Sequence, residues 1–202
     1  MVLSFSFLVY CTSTVRSAAG SYCPALATAP LAAPVGTLVA LTNQGATTVC
    51  TGGQACATAG LSAPSAACTA QYFCPAGSST ATRTLCSPTN YCPAGAADET
   101  DCPAGFLCPS AGQAAGLPCP AGAACVDTNM VDAGTYPCTP GYYCPLGSTV
   151  AAMHACPVAA YCPAKSAAPQ PCTGGAYCAT TGLSAPAGSG AWYAFVCACA
   201  KL

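Results

Sequence analysis

The sequence contains no isoleucine and few of the other side chains that build a hydrophobic core. Leucine (13), valine (11) and phenylalanine (5) together account for 29 of the 202 residues. That share is about 14%, below the roughly 20% at which a chain is suspected of being unable to form a packed core. The fold must therefore depend on something other than apolar burial.

Charge is scarce as well, since only 4% of the residues are charged and the net charge is −1. Disordered chains of low hydrophobicity usually carry a high net charge, so this composition argues against disorder. It also argues against nucleic acid, because phosphate recognition needs clustered basic residues. The four basic residues are spread along the chain: Arg16, Arg83, Lys165 and Lys201.

The acidic residues form two small groups, Asp98/Glu99/Asp101 and Asp127/Asp132. Neither group has the Asp-x-Asp-x-Asp-Gly spacing of a calcium loop, so we interpret them as solvated loop residues.

Groups for catalysis are equally few. The one histidine, His154, lies in an alanine-rich stretch with no nucleophile and orienting acid beside it, so it is interpreted as a surface loop residue. We predict no enzyme activity, no cofactor and no metal site.

Cysteine, by contrast, is abundant, at 20 of 202 residues. This is the range of disulfide scaffolds, in which cross-links replace a missing core. Zinc is the rival interpretation, but structural zinc sites need C-x2–4-C pairs, and the spacing here is C-x5-C. Disulfides persist in oxidising compartments, so we predict a secreted or cell-surface protein.

The two ends differ from the rest of the chain. Residues 1–19 resemble a signal peptide, with an apolar run followed by small residues but without the usual basic start. Residues 191–202 form a short apolar tail that ends in Lys201 and Leu202, and we interpret it as a strand or an abrupt end rather than a lipid-anchor signal. No segment has the length of a transmembrane helix.

Between the ends the sequence repeats. Eight cysteine pairs, each with five intervening residues, begin at 50, 68, 86, 102, 119, 138, 156 and 172, and they span residues 50–190 with a mean period of about 17 residues. Glycine is the third intervening residue in five pairs, and an aromatic residue precedes the second cysteine in most of them. Proline and glycine recur too often for helix. We predict a small disulfide-rich repeat array, mostly irregular with short β-hairpins, forming an elongated, rod-like solenoid.

The aromatic residues have two interpretations. Because a unit of 17 residues cannot bury a core alone, the aromatic side chain of one unit is expected to cover the disulfides of the next. The alternative is an exposed tyrosine ladder that binds carbohydrate or a protein partner.

Residues 17–49 are predicted to hold a degenerate first repeat and a linker. The segment SAAGSYCP, from Ser17 to Pro24, aligns with CPAGFLCP, from Cys102 to Pro109, so that Ser17 stands where the first cysteine would be.

The spacing leaves disulfide connectivity open. Each C-x5-C can close on itself, each second cysteine can join the first cysteine of the next unit, or the pairs can overlap. We favour the second pattern, a ladder that runs from Cys23–Cys50 to Cys178–Cys197, because no cysteine of the array then needs a partner at position 17. In this pattern Cys199 would be free for an intermolecular bridge. The predicted disulfide cysteines are Cys23, Cys50, Cys56, Cys68, Cys74, Cys86, Cys92, Cys102, Cys108, Cys119, Cys125, Cys138, Cys144, Cys156, Cys162, Cys172, Cys178 and Cys197.

Serine, threonine and proline make up more than a quarter of the chain, and no Asn-x-Ser/Thr acceptor is present. These residues are common in loops for conformational reasons alone. O-linked glycans on the variable loops would also solubilise a surface with almost no charge. The candidate sites are Pro64, Ser78, Ser79, Thr80, Ser87, Pro88, Ser148, Thr149, Thr180, Thr181 and Pro186.

The phrases CPAGFLCPSAGQAAGLPC and CTPGYYCPLGSTVAAMHAC resemble the ephrin-receptor-like cysteine-rich repeats and related arrays in surface proteins of protists and algae. The chain departs from that pattern because a single cysteine stands where the family tends to have C-x2-C. The resemblance implies an extracellular, modular, structural or adhesive region.

These observations predict a non-enzymatic structural protein that self-associates into a rod, coat or fibre at the cell surface. The alternative is an adhesin or receptor-like module that binds glycans or proteins. A binding module needs one repeat that departs from the rest, and the best candidate is CPAGAAC at 119–125 with the acidic VDTNMVDAG after it.

Residues 50–64 and 172–186 agree at 12 of 15 positions. They are interpreted either as copies within a longer repeat or as matched ends where subunits meet.

Overall fold

The computed structural model describes residues 16–25, 27–134, 136–174 and 176–188. This part of the chain contains no helix, and therefore none that could cross a bilayer. Its regular structure consists of sixteen two-residue strands in eight antiparallel hairpins. The predicted array of short hairpins without helix is confirmed.

The hairpins follow one another along the chain, and each strand pairs with the next one in sequence. They are β1 (Ser21–Tyr22) with β2 (Leu31–Ala32), β3 (Thr37–Leu38) with β4 (Thr48–Val49), β5 (Gln54–Ala55) with β6 (Ala66–Ala67), β7 (Tyr72–Phe73) with β8 (Thr84–Leu85), β9 (Asn90–Tyr91) with β10 (Thr100–Asp101), β11 (Phe106–Leu107) with β12 (Leu117–Pro118), β13 (Tyr142–Tyr143) with β14 (His154–Ala155), and β15 (Ala160–Tyr161) with β16 (Gln170–Pro171).

The chain divides into two compact units. The first holds the described residues up to 87 together with Tyr91–Thr100 and Ala111–Ala115, and it contains the hairpins from β1 to β8. The second holds Pro88–Asn90, Asp101–Ser110 and the described residues from 116 to 188, and it contains the hairpins from β11 to β16.

Each C-x5-C closes on itself, so the ladder that the sequence favoured is wrong. The Cα atoms of the eight pairs are 5.8–6.2 Å apart, a normal separation for a disulfide. The reason is the turn between the two cysteines, which folds the chain back and brings them together. The bridges are Cys50–Cys56, Cys68–Cys74, Cys86–Cys92, Cys102–Cys108, Cys119–Cys125, Cys138–Cys144, Cys156–Cys162 and Cys172–Cys178. Cys23 is disulfide-bonded as well, and Cys197 and Cys199 lie outside the described residues.

In the seven cysteine rings from Cys50–Cys56 to Cys156–Cys162, the turn has a residue with positive φ at its third position, as a type II turn requires. Gly105 is typical, with φ 86°, and the Phe106 N–H closes the turn by donating to the Pro103 carbonyl. Three rings without glycine place another residue there, namely Gln71, Thr89 and Ala159, with φ of 80°, 77° and 65°. The conformation of the turn is therefore kept even where its preferred residue is missing.

Adjacent repeats are joined by main-chain hydrogen bonds that recur without exception among the described residues. In each repeat, the N–H at the first-cysteine position donates to the carbonyl of the third turn residue in the preceding repeat. The N–H of that turn residue donates in return to the carbonyl at the second-cysteine position of the following repeat. Two further bonds link each ring to the loop that follows the next ring. At one junction these bonds are Cys119 N–H to Gly105, Gly105 N–H to Cys125, Cys108 N–H to Met130 and Asn129 N–H to Cys102, and all four are 2.7–2.8 Å long.

The hydrogen bonds reveal two further repeats, in which one or both of the ring cysteines are missing. Segments 17–23 and 33–39 make the same four bonds to their neighbours as the cysteine rings do. In the segment 33–39, Ala33 and Val39 occupy both cysteine positions and are 0% and 1% exposed. We therefore number ten repeats by their rings: 17–23, 33–39, 50–56, 68–74, 86–92, 102–108, 119–125, 138–144, 156–162 and 172–178.

The core consists mainly of the disulfides themselves, because the ring cysteines from 50 to 162 are at most 1% exposed. The side chain before the second cysteine packs on the disulfide of the next repeat. Phe73 contacts the cluster of Cys86 and Cys92, and Tyr143 contacts that of Cys156 and Cys162. The expected structural role of these aromatic residues is confirmed for both.

Repeat 2 offers a test of how much one ring contributes. Replacing Ala33 and Val39 together by cysteine is expected to close a ninth ring of the same kind. A ring of seven residues restricts the unfolded chain enough to add about 2 kcal/mol of stability. The measurement is the free energy of unfolding in guanidinium, compared with the natural chain and with an Ala33→Ser/Val39→Ser control that cannot form the bridge. Equal stability of the cysteine and serine variants would show that the ring geometry differs at this repeat.

Candidate functional site

The seventh repeat, 119–125, departs from the others in structure, as its sequence predicted. Ala123 and Ala124 stand where most rings carry an aromatic or leucine, and the hairpin shrinks to a single bridge between Ala123 and Pro137. Without a large side chain on the ring, space is left beside it.

The loop that follows this ring, 126–137, makes contacts of its own with the disulfide of the ring and with the preceding repeat. Met130 packs on the Cys119–Cys125 disulfide together with Leu107 of the preceding repeat. Asn129 holds the left-handed position that is glycine in most loops, with φ 60°, and its Nδ2 donates to Asp101 Oδ1 at 3.3 Å. The backbone junction thus survives the change of sequence.

A second contact ties the two ends of the loop together. The Tyr136 hydroxyl donates to Asp127 Oδ2 at 3.2 Å. Because the carboxylate accepts this hydrogen bond and its charge disfavours a phenolate, the pKa of Tyr136 is raised above its usual value of 10.0.

A cavity of about 240 Å³ lies between this ring, its loop and the ninth repeat, all within the second compact unit. Two charged side chains of opposite sign line it, Asp132 and Lys165. Asp132 Oδ1 accepts a hydrogen bond from the Gly134 N–H at 2.9 Å, which holds the carboxylate in place. The cavity is lined by Pro120, Ala121, Gly122, Ala123, Asp132, Ala133, Gly134, Pro137 and Lys165.

The cavity presents groups of both charges beside small apolar walls. Its described lining carries a carboxylate, an ammonium group and small apolar walls, and none of these lining residues supplies a thiol, a hydroxyl or an imidazole. Opposite charges at one small site suit a ligand that carries both signs, such as a short peptide segment.

Lys165 is the part of this site that the sequence did not predict. It belongs to the ninth repeat and reaches the seventh because the two are neighbours in space: a Cβ atom on Gly122 would collide with the Lys165 carbonyl oxygen. The signal available in the sequence was its position, since Lys165 stands where most loops have glycine.

The predicted glycan sites have different surroundings. Ser78 and Ser148 are 2% and 1% exposed, and their hydroxyls donate to the Pro75 and Pro145 carbonyls. Glycosyltransferases cannot reach these two hydroxyls in the folded protein, so both are withdrawn as candidates. Exposed candidates are Thr80, Ser87, Pro88, Thr180 and Thr181, and half-buried ones are Pro64, Ser79, Thr149 and Pro186.

His154 lies in strand β14 rather than in a loop, so that part of its interpretation is corrected. Its ring stacks on Tyr143, its cross-strand partner, with centroids 5.1 Å apart. The side chain is exposed. Across the described residues, no three His, Cys, Asp or Glu side chains converge as a metal centre would need.

The acidic residues mostly satisfy nearby backbone amides. Glu99 Oε1 accepts from the Ser87 N–H at 2.6 Å, and Asp98 Oδ1 accepts from the Glu99 N–H at 2.9 Å.

Comparison with known proteins finds no family model that matches this sequence and no similar curated protein. The chain is a cysteine-rich repeat protein with disulfide-closed hairpins, and such disulfide-rich repeats are typical of extracellular structural or binding proteins.

Proposed function

We propose that this is a non-enzymatic extracellular structural protein, which assembles into a rod, coat or fibre at the cell surface and carries O-linked glycans. The observation behind the proposal is the uniform junction between repeats. All nine junctions among the ten described repeats use the same four main-chain hydrogen bonds, 2.7–3.1 Å long, whatever side chains stand there. Stability in such arrays is a sum of similar nearest-neighbour terms, which suits a scaffold.

The surface supports the glycan part of the proposal. With four basic and five acidic residues in the whole chain, charge cannot keep the protein soluble at high concentration. The exposed loop residues Thr80, Thr180 and Thr181 offer hydroxyls on which glycans would supply the missing polarity.

The proposal is tested on protein isolated from its natural source without reduction. Electron microscopy is expected to show regular filaments or sheets, and intact mass is expected to exceed 19.6 kDa by multiples of sugar residues after any leader is accounted for. Dispersed particles at high concentration would contradict the assembly, and a bare mass would contradict the glycans.

The second candidate function is that of a binding module, and the cavity at repeat 7 is the observation that favours it. An Asp132→Asn/Lys165→Gln variant should lose a ligand that carries both charges while keeping its disulfides. A peptide-array screen of both proteins distinguishes this function from a purely structural one.

A further inference from the structure

Repeats pack against the next but one as well as against their immediate neighbours. In the first compact unit, a Cβ atom on Gly36 of repeat 2 would lie 2.6 Å from the carbonyl oxygen of Gly77, in the loop of repeat 4. In the second unit, a Cβ atom on Gly105 of repeat 6 would lie 2.9 Å from the carbonyl oxygen of Gly147, in the loop of repeat 8. Within each compact unit, alternate repeats therefore form two separate rows.

Each hairpin presents one cross-strand pair on the face opposite its disulfide contact. Since successive side chains of a strand point to opposite faces, the neighbours of Phe73, Leu107 and Tyr143 point away from the disulfides that these three cover. We call this pair the outer pair. One member of the pair lies two residues before the second-cysteine position of a ring. The other is its cross-strand partner, the residue that immediately precedes the next ring.

One row of each compact unit has apolar outer pairs, and we call it the aromatic row. In the first unit it contains Tyr72 opposite Leu85, and in the second it contains Phe106 opposite Pro118. Phe106 and Leu85 are 38% and 45% exposed, which is high for side chains of this size. The outer pairs of the aromatic row are Thr37–Val49 and Tyr72–Leu85 in the first unit, and Phe106–Pro118 and Tyr142–Ala155 in the second.

The other row has no large apolar side chain among its described outer pairs, and we call it the small row. Its pairs include Ser21–Ala32, Gln54–Ala67, Ala123–Pro137 and Ala160–Pro171, and Asn90 and Asp101 hold the same positions in repeat 5. The sequence hides this segregation, because the two rows alternate along the chain and become distinct only when every second repeat is grouped.

We infer that the aromatic row of each compact unit is a surface on which a second copy of this chain docks. The inference rests on the proposed self-assembly and names the contact that makes it. Its outer pairs expose the large apolar side chains of Val49, Leu85 and Phe106, and a contiguous apolar patch on a protein surface marks an interaction site. The row also carries no charge in its outer pairs, so two copies would meet there without repulsion.

A second copy fits this row because both partners have the same repeat spacing. When two equivalent rows face each other, an apolar pair on one copy meets an apolar pair on the other at each step, and the contact is self-complementary as in isologous dimers. A neutral glycan fits less well, since sugar hydroxyls need several hydrogen-bonding partners. The outer pairs of this row offer only the hydroxyls of Thr37, Tyr72 and Tyr142.

The test compares two double variants of the oxidised full chain at structurally equivalent positions. Leu85→Asp/Pro118→Asp places a charge on the aromatic row, and Ala67→Asp/Pro171→Asp places the same charges on the small row. All four residues are exposed and immediately precede a ring cysteine. Because Leu85 also lies beside Gly112, chemical unfolding of both oxidised variants measures the folding cost of each pair of substitutions. Intact mass confirms eight closed rings, and sedimentation velocity measures self-association.

The natural chain should associate, the aromatic-row variant should associate at least about a hundredfold more weakly, and the small-row variant should be unchanged. Equal weakening of both variants, or no weakening of either, overturns the inference. Regular filaments that persist in the aromatic-row variant overturn it while leaving the proposed function intact. A natural chain that stays monomeric overturns both, and if it also binds neutral glycans through Leu85 and Phe106, the row is a glycan platform.

Discussion

Complete reduction of the protein at neutral pH is expected to unfold it. Among the described residues the interior is built from disulfides, and Val39 is the largest other side chain that is fully buried. Each seven-residue ring contributes about 2 kcal/mol by restricting the unfolded chain. Eight rings together therefore match or exceed the whole stability of a typical domain, about 5–15 kcal/mol.

Amide hydrogen exchange read by mass spectrometry measures this outcome. The ring amides that bridge repeats, such as Gly53 N–H to the Cys74 carbonyl, should exchange slowly in the oxidised protein and at the rate of an unfolded chain after reduction and alkylation. Repeat 2 is the internal control. It has no disulfide, yet its amides should lose protection too, because their partners lie in neighbouring repeats. Slow exchange that survives alkylation would mean that the hydrogen bonds hold the fold without the rings.

Replacing Gly53 by alanine is expected to be far more destabilising than replacing Gly95. Both have positive φ, 83° and 77°, so each alanine incurs about 1–2 kcal/mol of left-handed strain. Only at Gly53 would the new Cβ atom collide with a backbone atom, the carbonyl oxygen of Gly95 two repeats away. Around Gly95 no atom lies within 4 Å of that position. Relieving the collision displaces the turn from its hydrogen bonds with Cys68 and Cys74, so the total cost should reach about 3–4 kcal/mol.

The measurement is chemical unfolding of the two oxidised variants beside the natural chain. Gln71 provides a further comparison, because it holds the same turn position in the next repeat with φ 80°. A Gln71→Gly variant should be more stable by up to about 1 kcal/mol, since glycine removes the left-handed strain. Equal losses for Gly53→Ala and Gly95→Ala would show that the close approach between alternate repeats has no energetic weight.

The departing repeat shows how far a site could be predicted. CPAGAAC lacks an aromatic, and the acidic loop after it differs from every other loop, so the location of the cavity followed from local sequence. Lys165 did not, because its place beside Gly122 depends on how repeats 7 and 9 pack. The sequence did not predict the burial of Ser78 and Ser148 either. Each hydroxyl donates to the carbonyl of the proline three residues earlier, a contact that depends on the fold of the loop.

The sequence by itself determined the period, the turns, the dependence on disulfides and the absence of helix in the described array. These features are local: five-residue spacing, Pro-Gly turns and a shortage of core side chains act within one repeat. Only the tertiary structure decided which cysteines pair, that Ala33 and Val39 complete a ring without sulfur, and that alternate repeats divide into an aromatic row and a small row. The physical reason is that these features depend on backbone geometry. The turn inside each ring brings its two cysteines together, while hydrogen bonds between repeats and next-but-one contacts set the other two features, and the residue pattern of a single repeat displays none of this.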